Sequence, residues 1–351
     1  MILGEVENYT PFSHFAFEKM GPGKRFYDVI IVKAACALVP GTDRKGIVPH
    51  KDPAPIRLAD EHYGEPEQTS LRYSGDTVLC KPGADVFITG HARPPSKFPN
   101  HWAAEIEIKG SAFTRKQRVR LLGERYWQWT LLKGWHLSEP RVCESVPLRY
   151  ELAFGGRQYQ RGESVEHLDN PVGVGLAGED RMDRDQRYLA PQIELFEAPT
   201  RKPGKVTRVP GLGPIPRFWS ARKRYAGTYD AAWQAQFETQ DIPDYPADFD
   251  LRFFQAAHAD WTSDAPLNGG EEVSLIGLTG DAQIIGKLPA WRVETLLVAQ
   301  PNARLTVAPM RLDTVEIDLD AGQLYLTWRL SVPHALQIHH AVLRLLPPEK
   351  T

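Results

Sequence analysis

Cysteine is scarce in this chain. Cys36, Cys80 and Cys143 are three among 351 residues, odd in number and far apart, and none belongs to a Cys-x-x-Cys pair. That usage argues against a disulfide framework and fits a reducing compartment. Long apolar runs are missing too: no stretch of the sequence approaches the roughly 18 residues needed to cross a bilayer. The opening segment, MILGEVENYTPFSHFAFEKM, carries acids early and lacks a basic segment followed by an apolar core, unlike a signal peptide. A cytoplasmic protein is the expectation. Nor is there an excess of one charge, since 42 Lys and Arg face 44 Asp and Glu for a formal net charge of -2. Long-range attraction to nucleic acid or an anionic membrane therefore has no support from the whole chain, and neither is expected as a partner.

Catalytic and nucleotide signatures are equally absent: there is no Gly-x-Ser-x-Gly, no His-Glu-x-x-His and no Walker loop, the local marks of common hydrolases and nucleotide enzymes. A formal Gly-x-Gly-x-x-Gly occurs at Gly173, Gly175 and Gly178. A dinucleotide site needs that loop between an apolar strand and an apolar helix, whose amides hold the pyrophosphate. Here it follows EHLDNP and precedes EDRMDRDQ, so it reads as a loop needing unusual backbone dihedrals. No cofactor is expected. His339 and His340 are adjacent and on a strand point to opposite faces, so no metal is expected either. No repeat of fixed period and no low-complexity tract is present.

What is present is an ordinary globular composition, 42% apolar and 25% charged, in a chain long enough to bury about three quarters of its unfolded surface. YDVIIVKAACALV (27–39) reads as a strand buried on both faces and stopped by Pro40-Gly41. TVLCKPGADVFITGHARPP reads as strand, turn at Lys81-Pro82-Gly83, and strand. From 102 to 132, Ala104, Ile106, Ile108, Val119 and Leu121 alternate with polar residues, the mark of a half-buried hairpin. Arg115, Lys116, Arg118, Arg120 and Arg125 are then its solvent side. Residues 146–265 are rich in Gly, Pro and aromatics, with one helix expected after Asp230, whose carboxylate caps it. TVEIDLDAGQLYLTWRL reads as a hairpin turning at Asp320-Ala321-Gly322. The pattern predicts a mainly β fold of sandwich-like antiparallel sheets, a loop-rich middle and one or two short helices. We divide it softly into an N-terminal β domain, 1–145, and a loop-rich region with C-terminal hairpins, 146–351.

Two features invite chemistry. Glu151, Glu194, Asp248 and Asp250 are candidate carboxylates for a carbohydrate-active or amide hydrolase, which needs an acid pair facing one cleft. Asp turns and arginine pairs are the alternative. Between Glu197 and Asp230 no acid occurs, while Arg201, Lys202, Lys205, Arg208, Arg217, Arg222, Lys223 and Arg224 mix with Phe218, Trp219, Tyr225 and Tyr229. Arg and aromatics carry interface hot spots, so this segment reads either as a docking surface or as a packed loop.

Read together, PLRYELAFGG (147–156), NPVGVG (170–175), APQIE (190–194), the AGTYD block flanked by Trp219 and Trp233, DFDLRFF (248–254), GGEEVSLIGL (269–278) and LDTVEIDLDAGQLYLTWR (312–329) resemble the type VI secretion effector adaptors. The resemblance covers almost the whole chain. It implies a cytoplasmic, non-enzymatic chaperone that binds a toxic effector or its PAAR-type spike tip and helps load it onto the valine-glycine repeat spike. It carries over no catalytic residues, only the motif positions Gly155, Gly156, Asn170, Pro171, Trp219, Arg222, Gly227, Thr228, Tyr229, Asp230 and Trp233. If Trp219 and Arg222 belong to a docking surface, Trp219→Ala with Arg222→Ala is expected to weaken capture and leave the fold intact.

Overall fold

The structure, a computed structural model, describes residues 3–346 apart from 42–43, 96, 98, 112, 161–162 and 300–303. Strands hold 44% of the residues and helical turns 9%, so sheets form the layers, as expected. The largest sheet is built on Arg25–Leu38, which pairs antiparallel with Ser13–Gly21 on one side and Gln323–Pro333 on the other. Arg311–Asp318 and then Asp85–Thr89 extend it, the last pair running parallel. The hairpin read around Asp320 to Gly322 therefore forms, with Val315 paired to Leu326 and Ile317 to Leu324.

A second, wholly antiparallel sheet runs in the order Ile193–Leu195, Thr114–Leu122, His101–Lys109, Glu272–Thr279, Ala282–Lys287. The hairpin read from 102 supplies two of its five strands. The third sheet joins Glu5–Asn8, Ile338–Leu346, Arg292–Ala299 and Arg304–Pro309. In all three, strands from both sides of residue 145 lie next to one another.

Burial shows why the sheets face each other. Ile30, Val32, Ala34 and Cys36 share one core with Ile106, Ile108, Val119 and Leu121 of the second sheet and Leu297, Ala341 and Leu343 of the third. The other side of Arg25–Leu38 is covered as well, because Val29 and Ile31 pack against Val78, Leu79 and Phe254. Thr77–Cys80 is not the strand expected before Lys81-Pro82-Gly83. Its carbonyls instead accept from the sheet below: Arg329 Nη1 donates to Val78 at 3.1 Å and Ser331 Oγ to Leu79. That covering segment is pinned by buried charge. Lys33, 1% exposed, meets Asp76 at 2.9 Å and Glu316 at 3.6 Å, and Arg329 meets Asp313 at 2.7 Å. Each cation needs its carboxylate there, because an unpaired charge removed from water is strongly disfavoured.

Candidate functional site

The motif residues separate into a buried corner and an exposed helix. Tyr150–Leu152 is a single 3-10 turn, not the strand edge that the alternation of Tyr150, Leu152 and Phe154 suggests. The chain then reverses through Gly155 and Gly156, at φ +153° and +119°, a region costly for any residue with a Cβ. Asn170 is fully buried against this turn, its Nδ2 donating to the Tyr150 carbonyl at 2.8 Å and the Phe154 carbonyl at 3.0 Å. Its own carbonyl accepts from the Gly156 amide at 2.8 Å. A Cβ at Gly155 would collide with that carbonyl. Buried Pro171 follows and leads to Val174–Gly175, which pairs in parallel with Phe154–Gly155. The glycine loop around Gly173, Gly175 and Gly178 thus completes the corner, with Gly175 at φ +94°.

Trp219 and Arg222 extend this corner into the core. Trp219 is 1% exposed and stands edge-on to Tyr150, with ring centroids 5.2 Å apart. It precedes a one-turn helix, α1 (Ser220–Lys223), whose Arg222 is 3% exposed. Arg222 donates through Nε to the Phe253 carbonyl at 3.0 Å and through Nη1 to the Ile215 carbonyl at 2.7 Å. Burial lowers its pKa to about 10. That burial contradicts placing Trp219 and Arg222 on a docking surface, so Trp219→Ala with Arg222→Ala is now expected to disturb the fold. Both side chains hold the loop-rich region together from inside.

The other half of the motif faces solvent. Gly227 turns the chain at φ +83°, and Thr228 then donates through its amide and its hydroxyl to the Asp248 carboxylate at 2.8 and 2.7 Å. Those two bonds hold the Asp248 carboxyl below the usual range. Asp230 caps α2 (Ala231–Thr239) as expected, accepting from the Trp233 amide at 2.8 Å. No residue of α2 is buried. Along it Tyr229, Trp233 and Phe237 form a ladder, with centroids 4.7 and 5.3 Å apart. Tyr229 is 57% and Phe237 48% exposed, while Trp233 is half-buried and ties the helix down through Nε1 to the Asp244 carbonyl at 2.9 Å.

The candidate carboxylates are each engaged by neighbours. Glu151 accepts from the Ser70 amide and hydroxyl at 2.7 and 2.8 Å. Glu194 is buried against Arg125 and accepts from the Thr200 amide. Asp250 caps a 3-10 turn and pairs with Arg252, which lowers its pKa. Asp250 and Glu194 thus follow the turn-capping and arginine pairing set out as the alternative to a hydrolase pair, whereas Glu151 is held by Ser70. Arg125 accordingly leaves the solvent side on which the alternation placed it, whereas Lys116 and Arg118 remain there with Glu105.

The basic, aromatic run does not form one surface, since Arg208 pairs with Asp260, Arg217 with Asp60, and Trp219 and Arg222 are internal. His340 faces Glu7 at 3.1 Å and, with Glu5, makes one of two trios of possible metal ligands among the described residues. Glu18, Asp28 and His334 make the other. Sequence reading missed both trios, the second of which sets His334 of a 3-10 turn against Glu18 and Asp28, cross-strand partners of one hairpin, and also the bare hairpin tip at Leu131 and Leu132, 87% and 96% exposed. Among the described residues no helix is long and apolar enough to cross a membrane.

Residues 24–329 match a family described as an uncharacterized protein conserved in bacteria (DUF2169). The chain belongs to this family, and both halves of the motif lie inside the matched span. No curated protein and no solved structure matches it.

Proposed function

We propose that this protein is an adaptor of the type VI secretion machine. It binds a toxic effector, or the effector's PAAR-type spike tip, in the cytoplasm and helps load it onto the valine-glycine repeat spike, without catalysis. The machine is drawn from the resemblance of the ordered motif set. The observation that supports a binding role is α2, along which an aromatic ladder has no fully buried ring and exposes Tyr229 and Phe237. Rigid aromatic side chains bury large areas at low entropic cost, which is why they dominate interface hot spots. Holding the bases of Tyr229 and Phe237 through the Asp230 cap and the Trp233 anchor preorganises the ladder, so little ordering cost remains for binding.

The test is capture by the tagged full chain from a strain shown to express both a toxin and its spike components. Recovery of either, identified by mass spectrometry, supports the adaptor role; recovery of neither removes it. Tyr229→Ser with Phe237→Ser is expected to abolish capture. Because both rings are exposed apart from their contacts with Trp233, the variant should stay folded, losing about 1–2 kcal/mol with the two aromatic pairs.

A further inference from the structure

Beside α1 lies a cleft of about 70 Å³ whose wall includes Arg222, Arg224, Arg252, Tyr225, His258 and Asp169. Arg222 is unusual there. It is 3% exposed, yet its partners are two backbone carbonyls, and among the described residues no carboxylate forms an ion pair with it. Buried cations ordinarily meet a carboxylate, because neutral carbonyls offset only part of the lost hydration. Its Nη2 makes no hydrogen bond to a described residue, although Arg222 lines the cleft.

The neighbours add to this positive field. The Arg224 guanidinium lies 5.1 Å and that of Arg252 4.5 Å from the centre of the same Tyr225 ring. Arg252 is balanced by Asp250, whereas Arg224 forms no ion pair among the described residues. Against these stands Asp169, the single carboxylate of the wall. Asp60 and Asp85 also act on Arg222 and Asp264 on Arg252, but Asp60 and Asp85 are paired with Arg217 and Lys81, and none of the three lines the cleft.

We infer that this cleft is an anion site that receives one carboxylate group, supplied by an acidic side chain of the protein partner. The wall sets the class: its cations face a small cleft, which suits a compact anionic group rather than an extended ligand. A guanidinium fork matches the two oxygens of a carboxylate. Asp169 in the wall repels a phosphate dianion more than a monoanion, which favours the carboxylate. Arg224 and Tyr225 lie only a few residues before Tyr229, so a partner segment lying along α2 is placed to present its acid here. The identity of the occupant rests on the adaptor reading; the anion site itself does not.

The experiment uses the full chain and the variant Arg224→Ser with Arg252→Ser, two exposed side chains whose loss leaves Arg222 in place. Sodium acetate is titrated at constant ionic strength against sodium chloride, following the arginine Nε–H resonances. Acetate is expected to shift the Arg222 signal, and the variant to weaken binding about tenfold, the loss of one charge-assisted pair. No response beyond that of chloride overturns the site. Tighter binding of inorganic phosphate than of acetate overturns the monocarboxylate assignment. Capture of the toxin or spike component is then compared: a loss of about tenfold in the variant supports the anchor. Equal capture by both proteins overturns the anchor and leaves the adaptor reading standing. Acetate binding without any capture by the unaltered chain overturns the occupant and the adaptor reading together.

Discussion

Replacing Asn170 by aspartate keeps the shape of the side chain and inverts its chemistry. In the folded protein the Asn170 amide donates to two buried carbonyls, at 2.8 and 3.0 Å, with no exposure to water. A carboxylate donates nothing and sets a negative charge against both oxygens. The fold tolerates it best as the neutral acid, so the folded pKa is expected to rise above the unfolded value of about 3.9. At about pH 4 the acid is substantially protonated in the unfolded state as well, and the variant loses chiefly one of two donors, a cost of about 1 kcal/mol. Above that pH the unfolded chain releases a proton that the folded chain retains, so stability falls by about 1.4 kcal/mol per pH unit until the folded pKa is reached.

At about pH 7 the additional cost has a ceiling near 4 kcal/mol, a large share of the 5–15 kcal/mol or so that typically holds a domain folded. Asn170→Ala loses both donors without adding an acid and should cost about 2–3 kcal/mol with no added pH dependence. The assay is urea unfolding followed by tryptophan fluorescence at about pH 4.5 and pH 7. It is informative because Trp219 packs on Tyr150, whose carbonyl Asn170 holds. An Asn170→Asp variant with the parental midpoint at neutral pH, or one that loses more stability in acid than at neutrality, would refute the reasoning.

Gly227→Ala places a Cβ 2.6 Å from the Pro246 Cβ at φ +83°, and should lower stability by about 1–3 kcal/mol, read as a lower urea midpoint. Trp219→Ala with Arg222→Ala empties part of the core and should cost at least about 3–5 kcal/mol; recovery of a cooperatively folding double variant with the parental midpoint would contradict their internal role. Asp248, whose pKa is lowered by the two Thr228 bonds, contributes stability above its unfolded pKa that is lost as pH falls through the lower folded value. Asp248→Asn should therefore flatten the acid limb of the stability profile. Burial pushes the Cys36 thiol up to about 12, so a thiolate-specific reagent at neutral pH should spare Cys36 in the native protein and label it after denaturation.

How far the sequence could be read depends on the range of the interactions involved. Arg25–Leu38, the His101–Leu122 hairpin and the hairpin turning at Asp320 are each legible because alternation, β-branching and turn residues are properties of a short window. The same holds for the Asp230 cap. The PLRYELAFGG stretch misleads for a related reason. Its apolar alternation resembles a strand, but the backbone is set by Asn170, some twenty residues away, and by glycines with positive φ. Thr77–Cys80 likewise looks like a strand, yet Arg329 and Ser331 from the far end of the chain take its carbonyls.

The sequence by itself determined the mainly β class, the strand periods, the one capped helix and the absence of common catalytic signatures, all of which follow from local composition and spacing. Only the tertiary structure decided which motif residues are internal and which are displayed. Trp219 and Trp233 are the same residue type in the same motif, fourteen positions apart. One closes the core against Tyr150, while the other, half-buried, anchors a helix with no fully buried residue. Burial depends on which distant segments come to lie over a residue, and long-range packing of that kind leaves no mark in the residues immediately around it.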